Sequence, residues 1–257
     1  MQLSPNRFKQ AIGELKPQIG IWSSMCSIIA ADLLGTAGFD WVLIDMEHSP
    51  NDMMSVLGQL QAYEVGGTSP VVRPPWNDPV TIKRLLDLGV MSLLVPMVQN
   101  AEEARAAVRA TRYPPNGIRG VSMAHRANRY GRIGDYIERI DKEVCVLVQI
   151  ETREALDRIE EIAAVEGVDG VFFGPADLSA DLGLIGRTTH EDVSNAIAEG
   201  ARRVAALGKP TGTLIGDMKL IERWLQSGFS FVACGTDLGL LARGAENLRK
   251  QVAALSR

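Results

Sequence analysis

Two carboxylates follow two consecutive apolar segments that are typical of buried parallel strands. Glu151 follows residues 144–150, and Asp177 comes shortly after residues 168–173. A helical pattern over residues 155–165 lies between the two segments. Neighbouring parallel strands lie about 4.8 Å apart. The two carboxylates can therefore converge on one hard cation, which prefers oxygen ligands.

A structural role for these acids has to be weighed against the metal site. Acidic residues after strands often cap the next helix, where they accept backbone N–H bonds and complement the helix dipole. For Asp177 both roles are open. Capping is less attractive for Glu151, because Glu is a poor cap and the adjacent Thr152 is a better one. Together, the pair favours a metal site.

Two other predicted strands end in residues suited to acid–base and oxyanion chemistry. His48 is either a polar surface residue or a base whose tautomer and basicity are set by Asp45. Arg73, held extended by two following prolines, is either a rim salt-bridge residue or the partner of a developing oxyanion. Asp87 lies near a helix end, where its charge opposes the dipole, and is either a solvated carboxylate or the partner of a cation such as imidazolium or arginine.

A locally basic segment, residues 119–132, follows the fourth predicted strand and its helix. Its charged and titratable residues are Arg119, His125, Arg126, Arg129 and Arg132. It is either an ordinary solvated loop or a loop over the active-site mouth that receives an anionic part of the substrate. His125 is the alternative base if His48 is not one.

Strands and helices alternate along the chain. The predicted strands are residues 18–24, 41–46, 70–73, 91–97, 144–150, 170–173, 211–215 and 229–233. The predicted helices are residues 54–63, 80–88, 101–110, 155–165, 192–207, 218–226 and 240–255. This pattern predicts an α/β fold, a closed (β/α)8 TIM barrel, whose active site lies at the C-terminal ends of the strands. An open sheet would require a glycine-rich dinucleotide turn after the first strand, and Ser-Ser-Met-Cys stands there.

Length and composition limit the alternatives. At 257 residues without a visible linker, the chain is expected to form one domain over residues 1–257. A net charge of −4 with dispersed basic residues predicts neither nucleic-acid nor anionic-membrane binding. The N-terminus lacks a secretory apolar region and no apolar run is long enough to span a membrane, so a cytoplasmic protein is expected. The three cysteines, which lack metal-ligand spacing, are predicted to be buried reduced thiols.

The combined segments resemble the HpcH/HpaI aldolase family, metal-dependent class II aldolases that act on 2-oxo acids. The resemblance covers nearly the whole chain and rests on residues 45–50 (DMEHSP), 72–75 (VRPP), 113–121 (YPPNGIRGV), 147–152 (LVQIET), 166–179 (EGVDGVFFGPADLS) and 231–237 (FVACGTD). It implies a barrel of the phosphoenolpyruvate/pyruvate superfamily type. Residues 124–131 look more like the 2-dehydro-3-deoxyglucarate aldolase branch and residues 145–156 more like the 4-hydroxy-2-oxoheptanedioate aldolase branch, which leaves the natural substrate open.

The resemblance also implies roles for individual residues. Glu151 and Asp177 would be the protein ligands of Mg²⁺, Mn²⁺ or Co²⁺. Arg73 would stabilise an enolate, and His48 would be the base, tuned by Asp45 and Asp87. The implied substrate-binding residues are Gln149, Gly174, Pro175, Ala176 and Asp177, with the backbone N–H groups of the last two holding the substrate carboxylate.

The resemblance implies an assembly as well. Relatives form hexamers, built from dimers or trimers, that exchange a terminal helix between subunits. The predicted helix over residues 240–255 has an apolar stripe that must be buried against something. Its members are Leu240, Leu241, Ala245, Leu248, Val252 and Leu255. A partner subunit or the chain's own barrel would serve equally well.

The expected reaction is reversible cleavage of the C3–C4 bond of a 4-hydroxy-2-oxo acid. The products are pyruvate, or a related 2-oxo acid such as hydroxypyruvate, and an aldehyde. A Schiff-base aldolase would need a lysine at the barrel mouth, and none of the seven lysines lies at the end of a predicted strand. Another enolate-forming lyase and a barrel that binds oxo acids without turnover are the remaining alternatives.

Overall fold

A closed barrel of eight parallel strands forms the centre of the computed structural model, which describes residues 1–255. Each strand pairs with the next in sequence, and β8 pairs with β1. The strands are β1 (Gln18–Ser23), β2 (Trp41–Asp45), β3 (Ser69–Arg73), β4 (Ser92–Val95), β5 (Cys145–Ile150), β6 (Gly170–Phe173), β7 (Thr211–Leu214) and β8 (Phe231–Thr236). The predicted TIM barrel is confirmed.

Helices surround the barrel in the part of the chain from residue 1 to residue 255. They are α1 (Arg7–Gly13), α2 (Ile28–Gly35), α3 (Met53–Tyr63), α4 (Pro79–Leu88), α5 (Ala101–Thr111), α6 (Tyr136–Glu143), α7 (Arg153–Asp157), α8 (Ile159–Ala163), α9 (Pro175–Asp181), α10 (Glu191–Ala205), α11 (Met218–Gln226) and α12 (Asp237–Leu255). A short 3₁₀ helix, Arg126–Asn128, lies between α5 and α6. Within residues 1–255, no helix is both long enough and apolar enough to cross a membrane.

The element boundaries differ from the predicted ones in a few places. The single helix predicted over residues 155–165 is two helices, α7 and α8, which meet at Arg158. Strand β4 stops at Val95 because Pro96 cannot donate a ladder hydrogen bond. The last strand begins at Phe231 instead of residue 229, since the Phe229 N–H bonds Trp224 in the turn that ends α11. Helices α1, α2 and α6 were not predicted, because seven or eight residues are too few to show a clear period. Helix α9 was expected only as a helix that begins near Asp177, without bounds.

Alternation along the strands determines which side chains enter the barrel. Trp41 and Leu43 point inward and pack with Phe172 and Phe231, whereas Val42 and Ile44 pack against the outer helices. Helix α1 closes the N-terminal end of the barrel with two apolar side chains. These are Phe8 and Ile12. The next inward positions towards the C-terminal ends are polar, and they are Asp45, Arg73, Gln149 and Glu151.

Helix α12 leaves its apolar stripe uncovered. Asp237 is its only buried residue among those described, and the exposed fractions of its large apolar residues run from 51% to 86%. These residues are Leu238, Leu240, Leu241, Leu248, Val252 and Leu255. The chain's own barrel therefore does not bury the stripe. Of the two alternatives that the sequence left open, burial against the chain's own barrel is ruled out.

The cysteines are less uniform than predicted. All three are free thiols, but only Cys145 is buried, while Cys26 and Cys234 are partly exposed. The prediction of three buried thiols is therefore wrong for Cys26 and Cys234. Both lie near the open C-terminal end of the barrel, in the segment after β1 and in β8, where packing is incomplete.

Candidate active site

A bidentate ion pair joins the ends of β2 and β3. Arg73 Nε lies 2.9 Å from Asp45 Oδ1, and Arg73 Nη2 lies 2.7 Å from Asp45 Oδ2. The two residues are paired in the barrel register, so adjacent strand ends bring them together. Burial opposes ionisation of Asp45, but the hydrogen bonds and charge of Arg73 outweigh it and lower the pKa of that carboxyl. The Trp22 indole donates to Asp45 and its ring lies beneath the Arg73 guanidinium, which further fixes the pair.

Glu47 is a site residue that the sequence did not identify. Its carboxylate lies 2.8 Å from Arg73 Nη1, and its side chain is largely buried. Burial raises the pKa of the Glu47 carboxyl, Arg73 opposes this, and the nearby Asp177 adds to it. Asp45 ends β2 and Glu47 lies in the turn after it, and only the packed turn shows that both acids face Arg73. The clue in the sequence was the acid next to His48 in DMEHSP.

His48 lies at the open edge of the site. Its side chain is 64% exposed, and its Nε2 is 3.9 Å from Glu47 Oε2. Asp45 accepts a hydrogen bond from the backbone N–H of His48, at 3.4 Å, while its carboxylate oxygens also bind Arg73. The predicted orienting contact between the Asp45 carboxylate and the imidazole ring is not formed among residues 1–255. Glu47 is the carboxylate that faces the ring.

Gln149 and Glu151 project inward from the end of β5. Glu151 accepts hydrogen bonds from Met97 N–H, at 2.8 Å, and from the Gln149 side-chain amide. Gln149 Oε1 is buried and has no hydrogen-bond partner within residues 1–255. Burial raises the pKa of Glu151 to about 7, against the effect of its two hydrogen bonds and with the help of Glu47 and Asp177. A positive charge beside Glu151 would favour its ionised form.

The end of β6 approaches Glu151 closely. A Cβ atom at Gly174 would lie 2.6 Å from Glu151 Oε2, so only glycine permits this approach. Pro175 is at the first position of α9, where its fixed φ suits the helix. Asp177 is exposed in the first turn of α9 and raises the pKa of Glu151 through its charge. No side-chain cap hydrogen bond forms at the start of α9, so the N-cap role considered for Asp177 is not the one it fills among the described residues.

The donor set at the strand ends fits a divalent cation. The charges of Glu47 and Asp177 raise the pKa of Glu151, and the charge of Asp177 also raises the pKa of Glu47, so the three carboxylates lie near one another. Oxygen ligands of this kind suit hard cations. Across residues 1–255, no three His, Cys, Asp or Glu side chains form a cluster that could hold a metal by themselves. The two carboxylates expected as ligands, Glu151 and Asp177, would leave positions in the coordination of a cation for water and substrate.

Binding of the cation is expected to depend on pH. The pKa of Glu151 is raised from 4.5 to about 7, so the metal-free protein favours the neutral carboxyl and loses stability as the pH rises through this range. Because the cation must displace the proton, its dissociation constant should rise about tenfold for each pH unit below 7 and level off above it. Titration calorimetry with Mg²⁺ or Mn²⁺ from pH 5.5 to 8.5 measures this, and a flat profile would contradict it.

Asp87 and the basic segment lie away from this mouth. Asp87 accepts a hydrogen bond from buried Arg119, at 2.9 Å, and lies 3.9 Å from His125 Nε2. Arg126 donates to the Leu88 carbonyl at the end of α4, which leads to the N-terminal end of β4. The interpretation of residues 119–132 as a loop over the mouth of their own barrel is therefore wrong. Asp87 does face an arginine, which was one of its two predicted environments, but it makes no contact with His48 among the described residues.

The chain is similar to characterised proteins over most of its length. The family model described as HpcH/HpaI aldolase/citrate lyase matches residues 18–244. A 4-hydroxy-2-oxo-heptane-1,7-dioate aldolase from Klebsiella pneumoniae is 57% identical over 244 residues, which cover 95% of this chain and 92% of that protein. An aldolase of the same name from Escherichia coli is 55% identical over 250 residues, which cover 97% of this chain and 95% of that protein.

A solved structure is similar to this chain in both fold and sequence. The crystal structure of an HpcH/HpaI aldolase/citrate lyase family protein from Burkholderia cenocepacia J2315 superposes with a TM-score of 0.93 at 37% sequence identity. The superposition covers 96% of this chain and 99% of that one. The eight-stranded barrel is therefore shared along with the sequence.

Proposed function

Because this chain belongs to the HpcH/HpaI aldolase/citrate lyase family, we propose that its natural substrate is 4-hydroxy-2-oxo-heptane-1,7-dioate. It is a carbon–carbon lyase, a class II aldolase that cleaves small 4-hydroxy-2-oxo acids to pyruvate and an aldehyde. For this diacid the aldehyde is 4-oxobutanoate. The high identity to aldolases named for the diacid favours it over the sugar-acid substrates that residues 124–131 suggested.

The observation that carries the mechanism is that Glu151, after β5, lies against Gly174 at the start of the turn that leads to Asp177, and that the charges of Asp177 and Glu47 act on it. Glu47 in turn lies 2.8 Å from Arg73. Glu151 and Asp177 would hold a divalent cation, Mg²⁺, Mn²⁺ or Co²⁺. When bound, the cation would supply Lewis-acid polarisation of the substrate C2 carbonyl. The raised pKa of Glu151 supports this assignment, because a buried carboxylate among other carboxylates is stabilised by a positive charge.

The turn from Gly174 to Asp177 would bind the substrate carboxylate. The first N–H groups of a helix have no partner inside the helix, and those of Ala176 and Asp177 are available at the start of α9. Pro175 directs the chain into this turn and Gly174 brings it close to Glu151. Gln149, whose Oε1 lacks a partner among residues 1–255, would contact the bound oxo acid.

His48 would act as the base. It removes the proton from the C4 hydroxyl, and the C4–O bond becomes the aldehyde carbonyl as the C3–C4 bond breaks. The electron pair of that bond forms the enolate of pyruvate, which takes up a proton at C3 from water, while the proton on His48 returns to solvent. Arg73 would donate to the enolate oxygen. Its hydrogen bonds to Asp45 use two of its five N–H groups, and although Nη1 also lies 2.8 Å from Glu47 Oε2, N–H groups remain for the substrate.

We assign the orientation of the imidazole to Glu47 instead of Asp45. Glu47 is within 3.9 Å of His48 Nε2, and the charge of His48 acts on the pKa of Glu47. Asp45 would act indirectly, by holding Arg73 and the backbone of the turn. Asp87 can serve His48 only from a second copy of the chain, because in its own copy it faces Arg119.

The uncovered stripe of α12 supports a homo-oligomer, and we propose the hexamer of the relatives, with α12 packed on a neighbouring subunit. Residues that are 51% to 86% exposed in one chain would be buried there. Size-exclusion chromatography with light scattering should give a mass several times 27.9 kDa. Replacing Leu241 and Leu248 by Asp should shift the mass towards the monomer, whereas Asp at exposed Leu207 should not. A monomeric wild type at working concentration would contradict the proposal.

Other properties stay predictions from the sequence. We propose that the chain works as one domain, acts in the cytoplasm and binds neither nucleic acid nor membranes. The small-molecule substrates are those of the aldolase.

The proposed substrate is tested by a pyruvate-release assay. Purified enzyme is offered 4-hydroxy-2-oxo-heptane-1,7-dioate and, in parallel, a 4-hydroxy-2-oxo sugar acid, each with and without EDTA. The diacid should give the higher kcat/KM, and EDTA should stop both reactions. A preference for the sugar acid would overturn the substrate, and borohydride trapping of pyruvate on a lysine would indicate a Schiff-base aldolase instead.

A further inference from the structure

A buried hydrogen bond closes the turn that carries Glu47 and His48. Asn51 Nδ2 donates to the main-chain carbonyl of Asp45, at 2.7 Å. Asp45 is the last residue of β2, and Ser49 Oγ donates to the same carbonyl. The two ends of the turn, residues 45 and 51, are therefore tied together through one side-chain amide.

A second buried amide holds the first. Gln59, fully buried on α3, donates from Nε2 to Asn51 Oδ1 at 2.7 Å and accepts from Ser23 Oγ at 3.1 Å. The orientations of both amides follow from the chain of bonds. The carbonyl of Asp45 requires the NH₂ group of Asn51, which leaves the Asn51 oxygen to accept from Gln59.

The chain of bonds ends at the base of α12. Ser23, at the end of β1, also lies 3.3 Å from Asp237 Oδ2, so its single proton is shared between Gln59 and Asp237. Asp237 is the first residue of α12 and accepts from the N–H groups of Ser24 and Met25. One connected set of hydrogen bonds thus joins α12, β1, α3 and the turn.

We propose that Ser23, Gln59 and Asn51 are positioning residues of the aldolase, which hold the turn so that His48 and Glu47 keep their places at the mouth. The inference rests on the proposed role of His48. Among residues 1–255, none of the three side chains forms a hydrogen bond with Glu151. They therefore act through the turn alone. A buried polar chain of this kind specifies geometry because a member that moved away would leave a buried partner without its hydrogen bond.

The decisive variant is Gln59→Met, which keeps the length of the side chain and removes its hydrogen bonds to Asn51, Ser23 and the Ser55 carbonyl. Its kcat for cleavage should fall roughly a hundredfold, as for a small misplacement of a catalytic group, while KM stays within about twofold. Exchange of pyruvate methyl protons with deuterium should stay near the wild-type rate, because it depends on Arg73 and on the carboxylates that follow β5 and β6. Ser23→Ala combined with Gln59→Met should lower kcat no further than Gln59→Met alone, since both break the same chain.

Thr68→Val is the matched control. Thr68 Oγ1 is buried and bonds the carbonyls of Gly35 and Phe39 at the N-terminal end of β3, far from the turn. This variant should lose comparable stability and keep the wild-type kcat. If it lost as much activity as Gln59→Met, or if cleavage and methyl exchange fell together, a general loss of packing would replace positioning as the explanation.

Amide hydrogen exchange tests the positioning without the reaction. The N–H groups of Glu47 and His48 donate to Asp45 Oδ1, at 3.0 Å and 3.4 Å, and report on the turn directly. They should exchange faster in Gln59→Met than in wild type or Thr68→Val. If the wild type released no pyruvate, the proposed function would fail and this measurement would still decide the inference. Unchanged exchange in the turn would overturn it.

Discussion

Glu151→Gln should abolish pyruvate release and divalent-cation binding while the barrel stays folded. The substitution keeps the size of the side chain and removes the charge that would bind the cation. Without Lewis-acid stabilisation worth several kcal/mol, the rate should fall by roughly three orders of magnitude or more. The unfolding temperature should stay near that of the metal-free wild type, because the buried Glu151 has a pKa of about 7 and gains nothing from ionisation there.

The comparison with Asp177→Asn and with chelation makes this prediction specific. Asp177 is exposed, so its substitution should weaken cation binding without changing stability. EDTA should inactivate the wild type, and Mg²⁺, Mn²⁺ or Co²⁺ should restore it, whereas no cation should restore Glu151→Gln. Full activity in a preparation shown to be metal-free by elemental analysis would contradict the mechanism.

His48→Ala should lower the cleavage rate by roughly two to four orders of magnitude, the range for loss of a general base. The ring is 64% exposed, so its removal should leave the unfolding temperature unchanged. The variant should still bind pyruvate with the cation and exchange the methyl protons, because Arg73, Gln149 and the carboxylates at β5 and β6 are intact. The measurement is cleavage beside deuterium exchange in the same preparation.

Arg73→Ala is the companion variant, and its pattern should differ. Both cleavage and methyl exchange should fall, since the enolate oxygen loses its partner in either reaction. Its loss also leaves Asp45 and Glu47 buried without a cation, which costs about 3–5 kcal/mol of stability for a broken buried pair.

Wild-type cleavage by His48→Ala would show that the base lies elsewhere. The alternative from the sequence, His125, lies beside Asp87 away from the mouth of its own barrel, so it would have to act in a neighbouring subunit.

The sequence by itself determined the barrel and the main candidates for the site. Strands such as residues 144–150 are local apolar runs, and the residue that ends such a run comes out at the C-terminal end of a parallel barrel. Glu151, Asp177, Arg73 and His48 could therefore be placed at one mouth before any contact was known. Boundaries were less certain where two short helices, α7 and α8, share one apolar period.

Only the tertiary structure showed which acidic side chain lies against which basic side chain. Asp45 binds Arg73 across two strands, which leaves Glu47 to face His48, and Asp87 packs against Arg119 away from the mouth. The chain of bonds through Gln59 could not be read from the sequence either. The sequence showed the apolar stripe of α12, but only the structure showed that the chain's own barrel leaves it uncovered. The physical reason is that a local pattern encodes which face of an element is buried, whereas the partner of a polar side chain depends on rotamers and on residues distant in the chain.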